Sequence, residues 1–164
     1  MTKLALYPGT FDPITLGHLD VVRRTLGIFD SVVVGIAQNM GKTTTFSVEE
    51  RLAMVQGSLA ELGLEPSARA EVFSGLTVEF AAKLGATSII RGIRAIGDFE
   101  TEFQMTLMNR NLRHRIETVF LMPSEQYSYV SSSLVKEISA LGGNVSNLVT
   151  ACVLRALDTK LSRG

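Results

Sequence analysis

The run Ser31-Val-Val-Val-Gly-Ile-Ala37 constrains the fold more than any other stretch of the chain. It is apolar and β-branched with no polar alternation, so a strand built from it must be covered on both faces. Sheets of that kind are parallel, with crossover helices packed above and below. The rest of the chain should then alternate short strands with helical patterns, and it does. Further strands are expected at about Lys3 to Tyr7, Ala68 to Phe73, Thr87 to Ile90 and Glu117 to Leu121. Helices are expected at about Gly17 to Phe29, from Ser47 to near Gly63, and over Leu76 to Leu84, Asp98 to Arg113, Val130 to Leu141 and Asn147 to Leu161. Ser47-Val-Glu-Glu50 reads as a capping box, and Asp98 as the cap of its helix. The expected class is α/β: one Rossmann-like domain over residues 1–164, a five-stranded parallel sheet with helices on both faces, and a C-terminal helix packed on it.

Sixteen basic and sixteen acidic residues cancel, so any anion site must come from local clustering, and neither a nucleic-acid nor a membrane surface is expected. The single cysteine, Cys152, excludes an internal disulfide and suits a reducing, cytoplasmic setting. It falls in an apolar helical pattern, where packing is the more natural role than chemistry. No secretory leader and no stretch long enough to span a bilayer is expected. The helix over 98–113 carries two apolar stripes: Phe99, Phe103 and Leu107 on one side, Met105, Met108 and Leu112 on nearly the opposite side. A surface helix needs one stripe, so the second points to a pocket wall, a subunit contact or extra burial within the domain.

Ligands of open α/β sheets sit beyond the carboxyl ends of the strands, where strand order reverses. The first strand leads into Tyr7-Pro-Gly-Thr-Phe-Asp-Pro-Ile-Thr-Leu-Gly-His18. A strand, a small-residue turn and a helix start bring a ligand to backbone N–H groups and the positive end of a helix dipole. Thr10 offers a hydroxyl there, and His18 a ring N–H or a charge near neutral pH. The stretch is neither the three-glycine dinucleotide fingerprint nor a Walker loop. Lys42 follows the second strand, Arg91 and Arg94 the fourth, and Tyr127 to Ser133 the fifth, with few acids among them. That inventory describes a polyphosphate site. No nucleophile elbow and no zinc spacing is present, and His18 and His114 are the only histidines. A site that binds charge without a covalent intermediate suits phosphoryl-type transfer.

Taken in order, Gly9-Thr-Phe-Asp-Pro13 with Thr15-Leu-Gly-His18, Arg91-Gly-Ile-Arg94, Asp98-Phe-Glu-Thr-Glu102, Met108-Asn109 and Ser131-Ser-Ser-Leu-Val-Lys-Glu137 resemble a known set. The first is similar to the (H/T)-x-G-H element of the nucleotidyltransferase superfamily. The whole set, spanning nearly the full chain, closely resembles the bacterial phosphopantetheine adenylyltransferase family. That resemblance implies adenylyl transfer from ATP to 4′-phosphopantetheine with Mg²⁺, giving dephospho-coenzyme A and pyrophosphate, in a homohexamer. It implies Thr10, Lys42, His18 and Arg94 as catalytic groups. Thr10, Phe11, His18, Gly92, Ile93, Arg94, Glu102 and Tyr127, Ser128, Tyr129, Val130, Ser131, Ser132 and Ser133 would bind ATP. Thr10, Lys42, Leu76, Thr77, Arg91, Met105, Met108 and Asn109 would hold phosphopantetheine; no protein metal ligand is implied. Two positions depart from the family's habit: Met40 stands where a proline is common, and Thr77 where several relatives carry a larger residue. The rivals are a sister enzyme acting on nicotinamide mononucleotide or glycerol 3-phosphate, and a non-catalytic nucleotide sensor. Thr15 in place of a histidine and the Ser131 to Lys136 run count against the sisters; intact His18, Lys42, Arg91 and Arg94 count against the sensor.

Overall fold

The computed structural model describes residues 2–38, 41 and 43–161. Five strands form one parallel sheet: β1 (Leu4–Gly9), β2 (Ser31–Ala37), β3 (Ala68–Phe73), β4 (Ser88–Gly92) and β5 (Glu117–Leu121), in the spatial order β3-β2-β1-β4-β5. Around them lie α1 (Leu16–Leu26), α2 (Val48–Glu61), α3 (Thr77–Leu84), α4 (Ile96–Leu112), α5 (Ser132–Ala140) and α6 (Ala151–Leu161). Alternate side chains of the central strands enter two apolar clusters. Ala5, Tyr7, Val32, Val34 and Ile90 pack under α1, α2, α5 and α6, whereas Leu6, Val33 and Ile89 pack with Val78 and Ala81 of α3. The middle five residues of β2 are all buried, as the unalternating run requires.

The break in strand order positions everything that follows. β1 pairs with β2 along its whole length, from Leu4↔Ser31 to Gly9↔Ile36, but with β4 only at Ala5↔Ser88 and Leu6↔Ile89. β4 instead stays with β5 as far as Gly92↔Leu121. A crevice therefore opens between the carboxyl ends of β1 and β4, where α/β sheets take their ligands. Pro8, which has no N–H to give, sits in β1 just beyond the last β4 pairing.

Several boundaries differ from the sequence expectation: α1 ends at Leu26 rather than Phe29, β4 runs to Gly92 rather than Ile90, α5 starts at Ser132 rather than Val130, and three further differences stand out. Asp98 does not cap α4: Ala95 holds the N-cap position without a side-chain bond, and Asp98 lies in the first turn, reaching back to accept the Arg94 amide at 3.2 Å. An acid there still favours the helix dipole. α6 begins at Ala151 rather than near Asn147, because the end of α2 caps it. The Glu61 carboxylate accepts the amides of Ala151 and Cys152, at 2.9 and 3.3 Å. Third, β1 runs two residues further than expected, through Pro8 and Gly9. The Ser47–Glu50 capping box is present, with both reciprocal bonds made. Cys152 sits beside the Ser58 and Thr150 hydroxyls and the Met54 carbonyl, in keeping with a packing role.

Candidate active site

The crevice is a cavity of about 590 Å³. Of the residues implied by the motifs, Thr10, Phe11, His18, Thr77, Arg91, Gly92, Arg94, Glu102, Met105, Tyr127, Val130 and Ser131 to Ser133 line it. Ile93, Ser128, Tyr129, Leu76, Met108 and Asn109 do not line it. Lys42 and Met40 lie outside the described residues. The structure adds wall residues to which the motifs gave no site role: Tyr7, Thr15 and Asp98 within the quoted stretches, and Val21, Phe73 and Pro123 outside them. Tyr7 and Val21 could be found only by knowing where β1 parts from β4.

His18 is held by the helix it opens. Thr15 is the N-cap of α1 and His18 the third residue of a capping box in which the ring takes the usual place of a glutamate. The Thr15 amide donates to His18 Nδ1 at 3.0 Å. A backbone N–H is only a donor, so Nδ1 carries the lone pair and the proton resides on Nε2. Burial of the ring, with the nearby Arg94 guanidinium as the lesser cause, pulls its pKa from 6.5 to about 4. Of the two roles the sequence left open for His18, a ring N–H donor or a charge near neutral pH, the structure favours the first. The ring is a neutral, oriented Nε2–H donor. Of the first three α1 amides, Leu16 already gives its proton to Leu148 O at 2.8 Å and His18 to Thr15 Oγ1 at 3.4 Å.

Phe11 explains the curvature of the loop. It is the only described non-glycine residue with positive φ, at 49°, a conformation that costs roughly 1–2 kcal/mol. Its ring returns over Gly9, where an added Cβ would stand 2.9 Å from Phe11 Cζ. The ring meets Tyr7 and His18 edge-on, at centroid distances of 5.4 and 5.2 Å. Burial holds the Tyr7 phenol well above its ordinary pKa against the opposing pull of Arg91 and Arg94, so it stays neutral.

The expected cationic rim contains more acid than the sequence suggested. Arg91 Nε and Nη2 grip the two oxygens of Glu102 on α4, and Nη1 reaches the Pro8 carbonyl at 3.4 Å. Arg94 Nη1 donates to Val130 O at 3.0 Å, and its Nε stands 3.5 Å from Asp98. Asp98 and Glu102 both line the cavity, so each arginine faces a carboxylate of its own. A guanidinium has five N–H donors, so Arg91 keeps two for a ligand. Ion pairing and a place in the site are therefore compatible for both arginines: the carboxylates aim the guanidinium groups.

A second set of polar contacts supports the wall. Arg51 of α2 is buried, with Nη1 donating to the carbonyls of Thr10 at 2.7 Å and Ala37 at 3.1 Å. Asp12 accepts the amides of Thr45 and Phe46 and the Lys136 ammonium. Burial alone would raise the Asp12 pKa; the Lys136 hydrogen bond and the two amides outweigh it and hold it below the ordinary value. Ser132 Oγ donates to Pro13 O at 2.7 Å, Ser131 caps α5 through the Leu134 amide, and Asp20 of α1 accepts the Ser124 amide and hydroxyl. An acid in a loop or a basic residue in a helix gives no sequence signal of such a role.

A magnesium ion finds no ligand set of its own here. Among the described residues there is no group of three histidine, cysteine or acidic side chains able to hold a metal, and the two cavity carboxylates are engaged by arginine.

With this geometry in view, the comparisons with known proteins are decisive. The chain is 52% identical to the phosphopantetheine adenylyltransferase of Methylacidiphilum infernorum, over 98% of this chain and 92% of that protein. It is 50% identical to the enzyme of the same name from Geotalea daltonii, over 98% of both. The chain belongs to the phosphopantetheine adenylyltransferase family. A Cytidylyltransferase-like family model matches residues 6–138, which contain the whole cavity wall. Among solved structures, a proposed nicotinate-nucleotide adenylyltransferase from Vibrio parahaemolyticus superposes with a TM-score of 0.74 at 19% identity, covering 96% of this chain and 99% of that one. A bifunctional NMN adenylyltransferase/ADP ribose pyrophosphatase from Francisella tularensis gives 0.70 at 14% identity, over 97% of this chain and 50% of that one. These two likenesses establish the α/β sheet with its surrounding helices. At this family membership, the chain is a nucleotidyltransferase.

Proposed function

We propose that the protein transfers the adenylyl group of ATP to 4′-phosphopantetheine, forming dephospho-coenzyme A and pyrophosphate in coenzyme A synthesis. The observation that carries this reading is the pair of relatives of that name at 52% and 50% identity over almost the full chain. A phosphate oxygen of the acceptor attacks the α-phosphorus of ATP in line, a new P–O bond forms, and the bond to the bridging oxygen breaks as pyrophosphate leaves. The acceptor phosphate has a second pKa of about 6, so the attacking oxygen needs no strong base.

In this reading the residues divide the charge among them. The neutral His18 Nε2–H and the Thr10 hydroxyl donate to oxygens of the α-phosphoryl group, where charge develops. Arg94 serves the β- and γ-phosphates, and Arg91, with its two remaining N–H groups, the acceptor phosphate, joined there by Lys42. Phe11, Gly92, Ile93, Glu102 and Tyr127 to Ser133 form the nucleotide side; Leu76, Thr77, Met105, Met108 and Asn109 form the pantetheine side. Mg²⁺ enters only as the counter-ion carried on the nucleotide phosphates. The protein acts in the cytoplasm as a homo-oligomer, most simply a hexamer, with part of the α4 apolar face in subunit contact. No helix among the described residues is long and apolar enough to cross a membrane.

Pyrophosphate release from ATP and Mg²⁺ with 4′-phosphopantetheine tests the reaction. Turnover should appear with this acceptor and not with nicotinamide mononucleotide or glycerol 3-phosphate.

A further inference from the structure

Three rim segments of different strands meet at one buried carboxylate that the cavity does not touch. Asp12 is 6% exposed, and it is absent from the cavity wall although Thr10 and Phe11, just before it, are part of that wall. Its Oδ1 accepts the Phe46 amide at 2.9 Å; its Oδ2 accepts the Thr45 amide at 3.0 Å and the Lys136 ammonium at 2.7 Å. Thr45 and Phe46 stand three and four residues after Lys42 in the chain, on the way from β2 into α2. Lys136 lies one turn into α5, past the three serines that line the cavity. The same helix start takes a second grip on the loop, Ser132 Oγ to Pro13 O. Between these grips the loop carries the positive φ of Phe11.

We propose that Asp12 and Lys136 are positioning residues for adenylyl transfer. Their ion pair registers the loop after β1 with Thr45 and Phe46 at the entry to α2 and with the serine-lined start of α5. The donors of the loop after β1 and the serines that open α5 are then held at one spacing before ATP arrives. This inference rests on the adenylyl-transfer reading. A carboxylate accepting two amides and one ammonium fixes three directions at once, whereas a hydrophobic contact in the same place would fix none. Misplacement of about 1 Å in a transferring site is enough to cost roughly 100-fold in rate.

The test uses Lys136→Met, Lys136→Arg and Asp12→Asn in the full chain, with two readouts. By pyrophosphate release, Lys136→Met should lower kcat by about tenfold or more while KM for ATP changes less than about threefold, and Lys136→Arg should recover most of the loss. By NMR, the amide resonances of Thr10 and Phe11, neither of which bonds Lys136, should move in Lys136→Met and return in Lys136→Arg. Asp12→Asn should reproduce the kcat loss and add little to Lys136→Met in the double variant. A folded Lys136→Met with kcat within about twofold of the parent overturns the proposal, as does a loss that Lys136→Arg fails to rescue. Were the parent protein to turn over no acceptor, the adenylyl-transfer reading would fall, and unmoved Thr10 and Phe11 resonances would separately overturn the positioning claim.

Discussion

The loop from Gly9 to His18 and the helix α4 form facing walls of one cavity, yet they are built on opposite plans. The loop is largely buried and locked: Thr10 O is held by Arg51, Asp12 by Lys136 and two amides, Pro13 O by Ser132, and His18 by the Thr15 amide. α4 buries only Thr106 and leaves Phe99, Phe103, Met105, Leu107, Met108 and Leu112 exposed, with Glu102 as its firm tie to the sheet end. Neither of its two stripes is absorbed by the core; Met105 alone of them faces the cavity. The contrast assigns precision to the loop and adaptable contact to the helix.

The sharpest break of that contrast comes from the loop's donor. His18→Ala should lower kcat by roughly 100-fold, about 3 kcal/mol, with KM for either substrate little changed. Steady-state kinetics decides it; equal losses in kcat and KM would remove His18 from the transition state. Next in size is Arg91→Ala, which should raise KM for phosphopantetheine by about tenfold and lower Tm, because Glu102 is left without its partner beside an anionic ligand. Glu102→Gln in the same chain should return part of the Tm.

A pH experiment sharpens the locked side. A histidine whose folded pKa is about 4, against 6.5 when unfolded, takes up its proton more readily in the unfolded chain. Stability from this group is complete above 6.5 and is lost as pH falls toward 4. Asp12, held below its ordinary value, adds to the loss at still lower pH. NMR of the His18 ring should find no titration between pH 6 and 8, as ~6.5 is the free value. A midpoint near that value would contradict the buried, neutral ring. The smallest catalytic effect should come from the helix face: Leu107→Glu, on the stripe turned from the cavity, should break up the proposed oligomer in sedimentation while kcat of the smaller species stays within about threefold. An unchanged assembly would take α4 out of the subunit contact.

Much of this was legible in the sequence, for identifiable reasons. β2, β3 and β5 fall at the expected residues because apolar runs bounded by turn residues report strands well. The Ser47 cap was readable because serine and glutamate at that spacing have one good use. Asp98 misled because an acid near a helix start serves N-cap and first turn alike. The charge state of His18 was not legible, since it depends on burial under Phe11 and on an amide bond to Nδ1. The acid on the rim was visible as Asp98 and Glu102, but their aim at Arg94 and Arg91 follows from how α4 crosses the sheet end. Arg51 lies in no motif, and Asp12 and Lys136 lie in motifs that do not tell their role; only long-range contacts reveal it.

The most direct measurement remains turnover with matched acceptors: pyrophosphate release from ATP and Mg²⁺ with 4′-phosphopantetheine, nicotinamide mononucleotide and glycerol 3-phosphate in parallel. The account predicts release with phosphopantetheine alone, and dephospho-coenzyme A in equal amount. Release with another acceptor, or ATP binding with no release from any of them, would contradict it.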